Sequence, residues 1–186
     1  MTELTARNDE SEDTMAANLN TILVNQFEAA MCTLGQCIAN CPEGEWSGPH
    51  PDGPFSQVLF HALIFTDVYL GRGEEAIKSQ EFHKENKAMF RDYEELEDRK
   101  PVNLYSREEI GRYFEFCRSK GKTEMGRETP DSFFGESGFD YRKFSRLELY
   151  IYLIRHIQHH AAQLGLRVQL STGKELAWVG SGWKDL

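Results

Sequence analysis

The stretch that decides the fold is residues 145–165, SRLELYIYLIRHIQHHAAQLG. Ser145, followed three positions later by Glu148, forms the pattern of a capping box and predicts the start of a helix. Gly165 predicts its end, because glycine is the residue most often found just past a helix C-terminus. One long helix is therefore expected here.

Three of the chain's six histidines, His156, His159 and His160, lie in one five-residue stretch of this helix. His156 and His160 are four residues apart, so their side chains point in nearly the same direction, with Cβ atoms about 5–6 Å apart. Two imidazoles at that spacing can share one metal ion. His159 is turned away from both by roughly 60° to 100°, which predicts a neighbour of the site rather than a ligand. Gln163, one turn further on, can orient an imidazole or a bound water, or serve structure alone.

Three more helices are predicted upstream. The first shows apolar residues at steps of three and four and ends near Cys41, before Pro42. The second opens at Pro54, a residue suited to the first turn of a helix. The third begins at another capping box, formed by Ser106 and Glu109. Their predicted bounds are residues 19–41, 54–70 and 106–120.

The remaining segments are predicted connections and ends. Residues 1–14 are polar and are expected to be disordered or frayed, which leaves residues 15–186 as a single domain. Residues 43–54 and 121–141 are rich in glycine or proline and are expected to be loops. Residues 72–105 are highly charged, with weak helices around 74–78 and 82–96. The segment after Gly165 is too apolar for a free tail and is expected to pack back on the domain.

Composition limits the partners. The chain has 186 residues, a formal net charge of −9 and 40% hydrophobic residues. Such a chain offers no basic surface for nucleic acid or an anionic membrane, so a small-molecule substrate fits better. It contains no apolar stretch of the roughly 18–20 residues that span a bilayer, and its acidic start lacks the features of a signal peptide. A cytoplasmic protein is therefore expected.

The four cysteines show no disulfide framework and are expected to be reduced. Cys37 and Cys41 are also four residues apart. A second metal or redox site is conceivable there, but small buried thiols in a helix stripe are the more common case.

Four amphipathic helices and no convincing strand predict an all-α fold, a four-helix bundle with long connections and a C-terminal extension. In such bundles, metal sites are built from inward side chains on facing helices. The second helix offers a third donor, because His61 lies in the apolar run VLFHALIF, residues 58–65. The alternatives are a core histidine at position 61 that is satisfied by a hydrogen bond, and a solvated face carrying His156 and His160.

These residues resemble the DinB-like superfamily, which is unrelated to the DNA polymerase of the same name. The resemblance covers roughly residues 16–166 and rests on the pattern H-x-x-H-H-x-x-Q-L over residues 156–164, and on an aromatic and acidic stretch after the second-helix histidine: His61, Phe65, Asp67 and Tyr69. It implies a metal-binding four-helix bundle in up-up-down-down order. It also implies a mononuclear site, with His61, His156 and His160 as ligands. Relatives include thiol transferases that use bacillithiol or mycothiol and glutathione-dependent isomerases.

Three neutral imidazoles leave a divalent ion with an open coordination position, the arrangement of a catalytic site. We expect zinc, nickel or iron as the cofactor. The leading functional expectation is a transferase that joins a low-molecular-weight thiol to an electrophilic small molecule. The alternatives are a metal-dependent hydrolase and a non-enzymatic, metal-binding stress-response module.

A homodimer is also expected. The first predicted helix is apolar on more than one side, and Trp178 and Trp183 add aromatic surface late in the chain. A bundle buries only one stripe of each helix, so association would cover the rest.

Overall fold

The computed structural model describes residues 2–73, 75–91 and 103–185, with side chains from Thr14 onwards. Within these ranges the regular structure is helical, apart from an isolated β-bridge between Glu136 and Ser145. The all-α prediction is therefore confirmed. In chain order the helices are α1 (Thr2–Asn40), α2 (Glu43–Trp46), α3 (Phe55–Leu70), α4 (Glu75–Ser79), α5 (Glu81–Glu85), a 3₁₀ turn (Lys87–Phe90), α6 (Arg107–Gly126), α7 (Pro130–Phe134) and α8 (Arg146–Thr172).

The four long helices pack around one core. Helices α1 and α3 each pack against both α6 and α8, so α1 and α3 lie at opposite corners. Fully buried side chains from all four helices meet between them, including Phe27, Leu63, Tyr113 and Leu153. Each helix therefore buries its apolar stripe against two neighbours.

Contacts at the helix ends show that α1 and α6 are antiparallel. At the start of α6, Arg107 donates from Nη2 to the carbonyl of Cys41, just past the end of α1, over 2.7 Å. At the other end, Asn20 of α1 donates to the carbonyl of Glu128, just past the end of α6, over 3.0 Å.

Helices α3 and α6 are parallel. Gln57, early in α3, donates to the carbonyl of Asn103 ahead of α6 over 2.9 Å. Later in both helices, Lys120 donates to the carbonyl of Asp67 over 2.8 Å. The two helices therefore run in the same direction.

Helix α8 runs against α3, because Arg146 at its start donates from Nη2 to the carbonyl of Leu70 at the end of α3 over 2.8 Å. The order of the four long helices is therefore up, down, down, up. The up-up-down-down order expected from the family resemblance is wrong.

The third long helix extends beyond its predicted end. We expected a loop from Gly121, but α6 continues to Gly126 and a further short helix, α7, begins at Pro130. Gly121 lies inside the helix, and the ring of Phe27 occupies the place where a Cβ would stand. The glycine thus permits close packing of α6 on α1 and does not end the helix.

The fourth long helix also passes its predicted end. It continues through Gly165 to Thr172, where Gly173 caps it in the left-handed conformation with φ of 71° and donates to the carbonyl of Gln169 over 2.8 Å. At Gly165 a Cβ would come within 3.0 Å of Leu176 Cδ1. That glycine makes room for the returning C-terminal segment.

The predicted helix starts agree with the structure. Ser106 and Glu109 form both halves of a capping box at α6, and the Ser145 hydroxyl accepts from the backbone N–H of Glu148 at α8. Pro54 immediately precedes α3.

Other predicted boundaries differ. Backbone of residues 2–14 is helical, as part of α1, where we expected a frayed start. Helix α2 lies in the predicted 43–54 loop, where the Trp46 ring is buried and its Nε1 donates to the carbonyl of Tyr105 over 2.7 Å. Within the charged connection, α4 and α5 match the predicted weak helices in part. The prediction for residues 92–96 lies outside the described residues.

The C-terminal segment packs back on the bundle, as predicted. Ala177 exchanges hydrogen bonds with Gln36 of α1 over 2.8 and 3.0 Å. The ring of Trp183 lies 3.5 Å from the guanidinium carbon of Arg118 on α6. Trp178 remains 87% exposed. Of the helices among the described residues, none is long and apolar enough to cross a membrane.

Candidate metal centre

Two facing rows of side chains form the candidate centre. On α3, His61, Phe65 and Tyr69 follow one another at steps of four, and on α8 the same spacing aligns Tyr152, His156 and His160. Because the helices are antiparallel, the rows pair in reverse order. Ring centroids are 4.8 Å apart for His61 and His160, 5.7 Å for Phe65 and His156, and 5.7 Å for Tyr69 and Tyr152.

The three predicted histidines converge. One nitrogen of each of His61, His156 and His160 lies within 4.8 Å of the others. Donor atoms about 2.1 Å from a tetrahedral ion are roughly 3.4 Å apart, so the rings need to move inward by only about 1–1.5 Å to share one. Within the described residues, no fourth histidine, cysteine or carboxylate joins this group.

The three imidazoles are neutral at neutral pH, which is the form that binds a metal cation. Desolvation by the surrounding side chains, followed by the charge of His160, lowers the pKa of His61 to about 4, although the residue as a whole is partly open to solvent. Burial and the neighbouring histidines lower the pKa of His156 to about 3. Burial also lowers the pKa of His160, although the hydrogen bond with Gln163 opposes the shift. At neutral pH all three rings therefore have an unprotonated nitrogen available for a metal.

Gln163 orients one of these rings. His160 Nδ1 lies 3.0 Å from Gln163 Oε1, and Gln163 Nε2 donates to Asp52 Oδ2 over 3.2 Å. A carbonyl oxygen only accepts, so His160 carries its proton on Nδ1 and keeps Nε2 free. The prediction that Gln163 orients an imidazole is thus supported, whereas Asp52 was not foreseen.

His156 has an unsatisfied nitrogen. Its Nδ1 is buried and has no hydrogen-bond partner in the described part of the chain. A buried polar atom without a partner is costly and calls for an explanation. An ion bound through Nδ1 would satisfy this nitrogen, and the three converging nitrogens fit a metal.

A cavity of about 560 Å³ opens beside the triad. His61 and His160 line it on the helix side, and His50 and Asp52 line it from the loop that precedes α3. His61 is the most exposed of the three histidines. A volume of several hundred Å³ suits a small molecule.

The other candidate residues lie elsewhere. His159 is exposed, with its ring 5.0 Å from that of His160, and it does not join the ligand group. Asp67, part of the family pattern, faces away from the centre and is paired with Lys120 and with the Tyr113 hydroxyl, which donates over 2.9 Å.

The two cysteines spaced four residues apart do not form a second metal or redox site in the described structure. Cys37 and Cys41 are buried and unbridged, and burial raises their pKa values to about 12 and about 11. Both thiols therefore stay protonated at neutral pH, which makes them poor nucleophiles and poor metal ligands.

Sequence reasoning missed one side chain at the far end of the two rows. Arg142, in the loop before α8, donates to the hydroxyls of Tyr69 and Tyr152. Its position follows from how that loop folds over the bundle, and the helical spacing gives no indication of it. Comparison with protein-family models, curated proteins and solved structures found no match.

Proposed function

We propose that His61, His156 and His160 bind one divalent metal ion. The convergence of three neutral imidazoles carries this proposal, and the partnerless Nδ1 of His156 supports it. Zinc, nickel and iron are the candidates, since imidazole suits each of them. A metal held by three protein ligands keeps a position open, where it lowers the pKa of a bound thiol or water.

We propose further that the chain is a DinB-like protein that transfers a low-molecular-weight thiol to an electrophilic small molecule. Four long helices, the histidine pattern and the cavity beside the triad support this assignment. Within the site, Gln163 holds His160 in one tautomer, Phe65 and Tyr152 shield the rings from water, and the cavity admits the two reactants.

Hydrolysis is the second candidate, because the same open position can take a water molecule. His50 and Asp52 line the cavity and supply polar groups for a water there. A third possibility is a non-enzymatic module in which the metal serves structure alone. The cavity beside His61 and His160 favours the two enzymatic functions, because a structural site is normally closed by a fourth protein ligand.

The test is metal analysis of freshly purified protein, followed by calorimetric titration of the metal-free protein with Zn²⁺, Ni²⁺ and Fe²⁺. We expect one ion per chain. His160→Ala should lower the affinity by orders of magnitude, and the neighbouring variant His159→Ala should leave it almost unchanged. Equal losses in both variants would contradict the ligand assignment.

A thermal-shift screen of metal-loaded protein then separates the functions. Stabilisation by low-molecular-weight thiols supports the transferase. Stabilisation by hydrolysable esters or amides, without an effect of thiols, supports the hydrolase. Metal binding without stabilisation by either class of compound supports the structural module.

A cytoplasmic location and a homodimer complete the proposal. Four unbridged cysteines suit a reducing compartment. The C-terminal segment covers part of α1, but Ile22, Leu166 and Leu170 remain exposed and supply apolar surface for a second copy. Light scattering at micromolar concentration should give twice the 21.4 kDa mass of the chain. A monomer would show that the C-terminal segment already covers enough of that surface.

A further inference from the structure

Arg142 closes one end of the two facing rows. Its Nη2 donates to the Tyr69 hydroxyl over 2.8 Å and to the Tyr152 hydroxyl over 3.0 Å, and its Nε donates to Tyr69 over 3.1 Å. The guanidinium carbon lies 4.3 Å from the Tyr152 ring. These contacts fix the orientation of the guanidinium beside the candidate centre.

This guanidinium has no acidic partner. No carboxylate of the described residues lies within 4 Å of it, although Glu136 and Asp140 line the same surface depression as Arg142. The other buried or half-buried arginines of the described residues differ: Arg146 contacts Glu128, Arg118 contacts Glu28, Arg107 contacts Glu43 and Arg167 contacts Glu45. Arg142 meets only neutral phenol oxygens and aromatic rings.

Arg142 also retains free hydrogen-bonding capacity. A guanidinium carries five N–H donors, and the three hydrogen bonds described above use only Nε and Nη2. In the described structure Nη1 makes none. A cation with free donors in a fixed fork matches the geometry of a carboxylate.

The spacing between Arg142 and the triad suits one small molecule. Along α8, Tyr152, whose hydroxyl accepts from Arg142, precedes the midpoint of His156 and His160 by about six residues, which is a rise of roughly 9 Å at 1.5 Å per residue. The partly exposed rings of Phe65 and Tyr152 lie between. A ligand with an apolar middle that lies over these rings would span from the histidines to the guanidinium, which stands outside the cavity beside the triad.

We propose that Arg142 binds the carboxylate of a small molecule whose other end reaches the three-histidine centre. The inference rests on the proposed metal site and narrows its substrates to acids. In such a ligand, the group that meets the metal lies roughly 9 Å from the carboxylate. A thiol bound there would give its proton to solvent, and its sulfur would take the metal's open coordination position in place of a water molecule.

Three thiols of equal length test this inference: 6-mercaptohexanoate, 6-mercaptohexan-1-ol and 6-aminohexane-1-thiol. Each is titrated into zinc-loaded, full-length protein by calorimetry, after the zinc content has been confirmed. We expect the carboxylate to bind about tenfold more tightly than the alcohol, and the ammonium compound to bind most weakly. In Arg142→Gln the preference for the carboxylate should disappear while zinc affinity is kept. Arg142→Lys should retain part of it.

Arg155→Gln is the matched control, because Arg155 is an exposed arginine on α8. This variant should keep the full preference for the carboxylate over the alcohol. If the wild-type protein binds zinc but binds the three thiols equally, the inference about Arg142 is overturned and the metal site stands. A preference that survives in Arg142→Gln also overturns it. A wild-type protein that binds no metal overturns both proposals. The comparison of the three thiols on the wild-type protein tests the inference even if a variant fails to fold.

Discussion

His160 Nδ1 lies 3.0 Å from Gln163 Oε1, and this contact selects the ring nitrogen that His160 presents to its partners. Gln163 is held in turn by Asp52 over 3.2 Å. The proposed metal ligand is therefore oriented by an amide one turn further along its own helix and by a carboxylate from the loop before α3. Partners of this kind usually contribute strongly to metal affinity.

Gln163→Ala should weaken metal binding. The variant removes the acceptor that fixes the His160 tautomer, so we expect a 10- to 100-fold lower affinity. Calorimetric titration with zinc measures the loss. Gln169→Ala, an exposed glutamine on the same helix, serves as the control and should bind like the wild type. An unchanged affinity in Gln163→Ala would show that packing alone orients the His160 ring.

Metal should stabilise the folded chain. An ion that binds only the native state raises stability by about 2.7 kcal/mol at one hundred times its dissociation constant, which corresponds to a rise in Tm of about 5–10 °C for a chain of this size. Scanning calorimetry with and without zinc and a chelator measures the shift. His156→Ala should abolish it. A shift of the same size in that variant would place the bound metal elsewhere.

The metal-free protein should lose stability between pH 6.5 and about pH 4. The pKa values of all three histidines are lowered in the folded state, so the unfolded chain binds more protons in this range and the free energy of unfolding falls as pH falls. His156 alone accounts for up to about 2 kcal/mol at pH 5.

Chemical denaturation at several pH values measures this dependence. The loss between pH 6.5 and pH 5 should be smaller in His156→Gln than in the wild type. His159→Gln, which changes an exposed ring beside the site, should retain the wild-type loss. Identical pH curves for His156→Gln and the wild type would show that His156 is protonated as readily in the folded chain as in the unfolded one.

Two glycines of α6 should respond oppositely to alanine. Gly121→Ala places a methyl group into the ring of Phe27 and should destabilise the protein by about 1–3 kcal/mol. Gly111→Ala meets nothing within 4 Å and should stabilise the helix by up to about 1 kcal/mol. Urea denaturation of both variants gives the two values. Equal effects would mean that α6 does not pack on α1 through Gly121.

The helix starts and the histidine triad could be predicted because both depend on short-range spacing. Ser106 with Glu109 marks the start of a helix whatever surrounds it, and residues four apart share a helix face in any fold. The three rings converge because the packing of α3 on α8 adds His61 to such a pair.

The helix ends could not be predicted in the same way. A glycine inside a helical pattern ends the helix or allows a close contact, and only its neighbours in space decide which. At Gly121 the neighbour is Phe27, which is distant in sequence, and at Gly165 it is Leu176, which lies past the end of the helix and returns onto it. Asp52 and Arg142 were missed for a related reason, since both come from loops whose positions depend on the helices they cover.

The two parts of the triad come from opposite halves of the chain. His61 and His160 are about a hundred positions apart, with α6 between them. A ribosome releases α3 long before α8, so a nascent chain carries His61 before it carries His156 and His160. In the proposed site, all three donors come together only after α8 has packed on α3, so a coloured ion such as Co²⁺ would serve as an optical reporter for the last step of assembly.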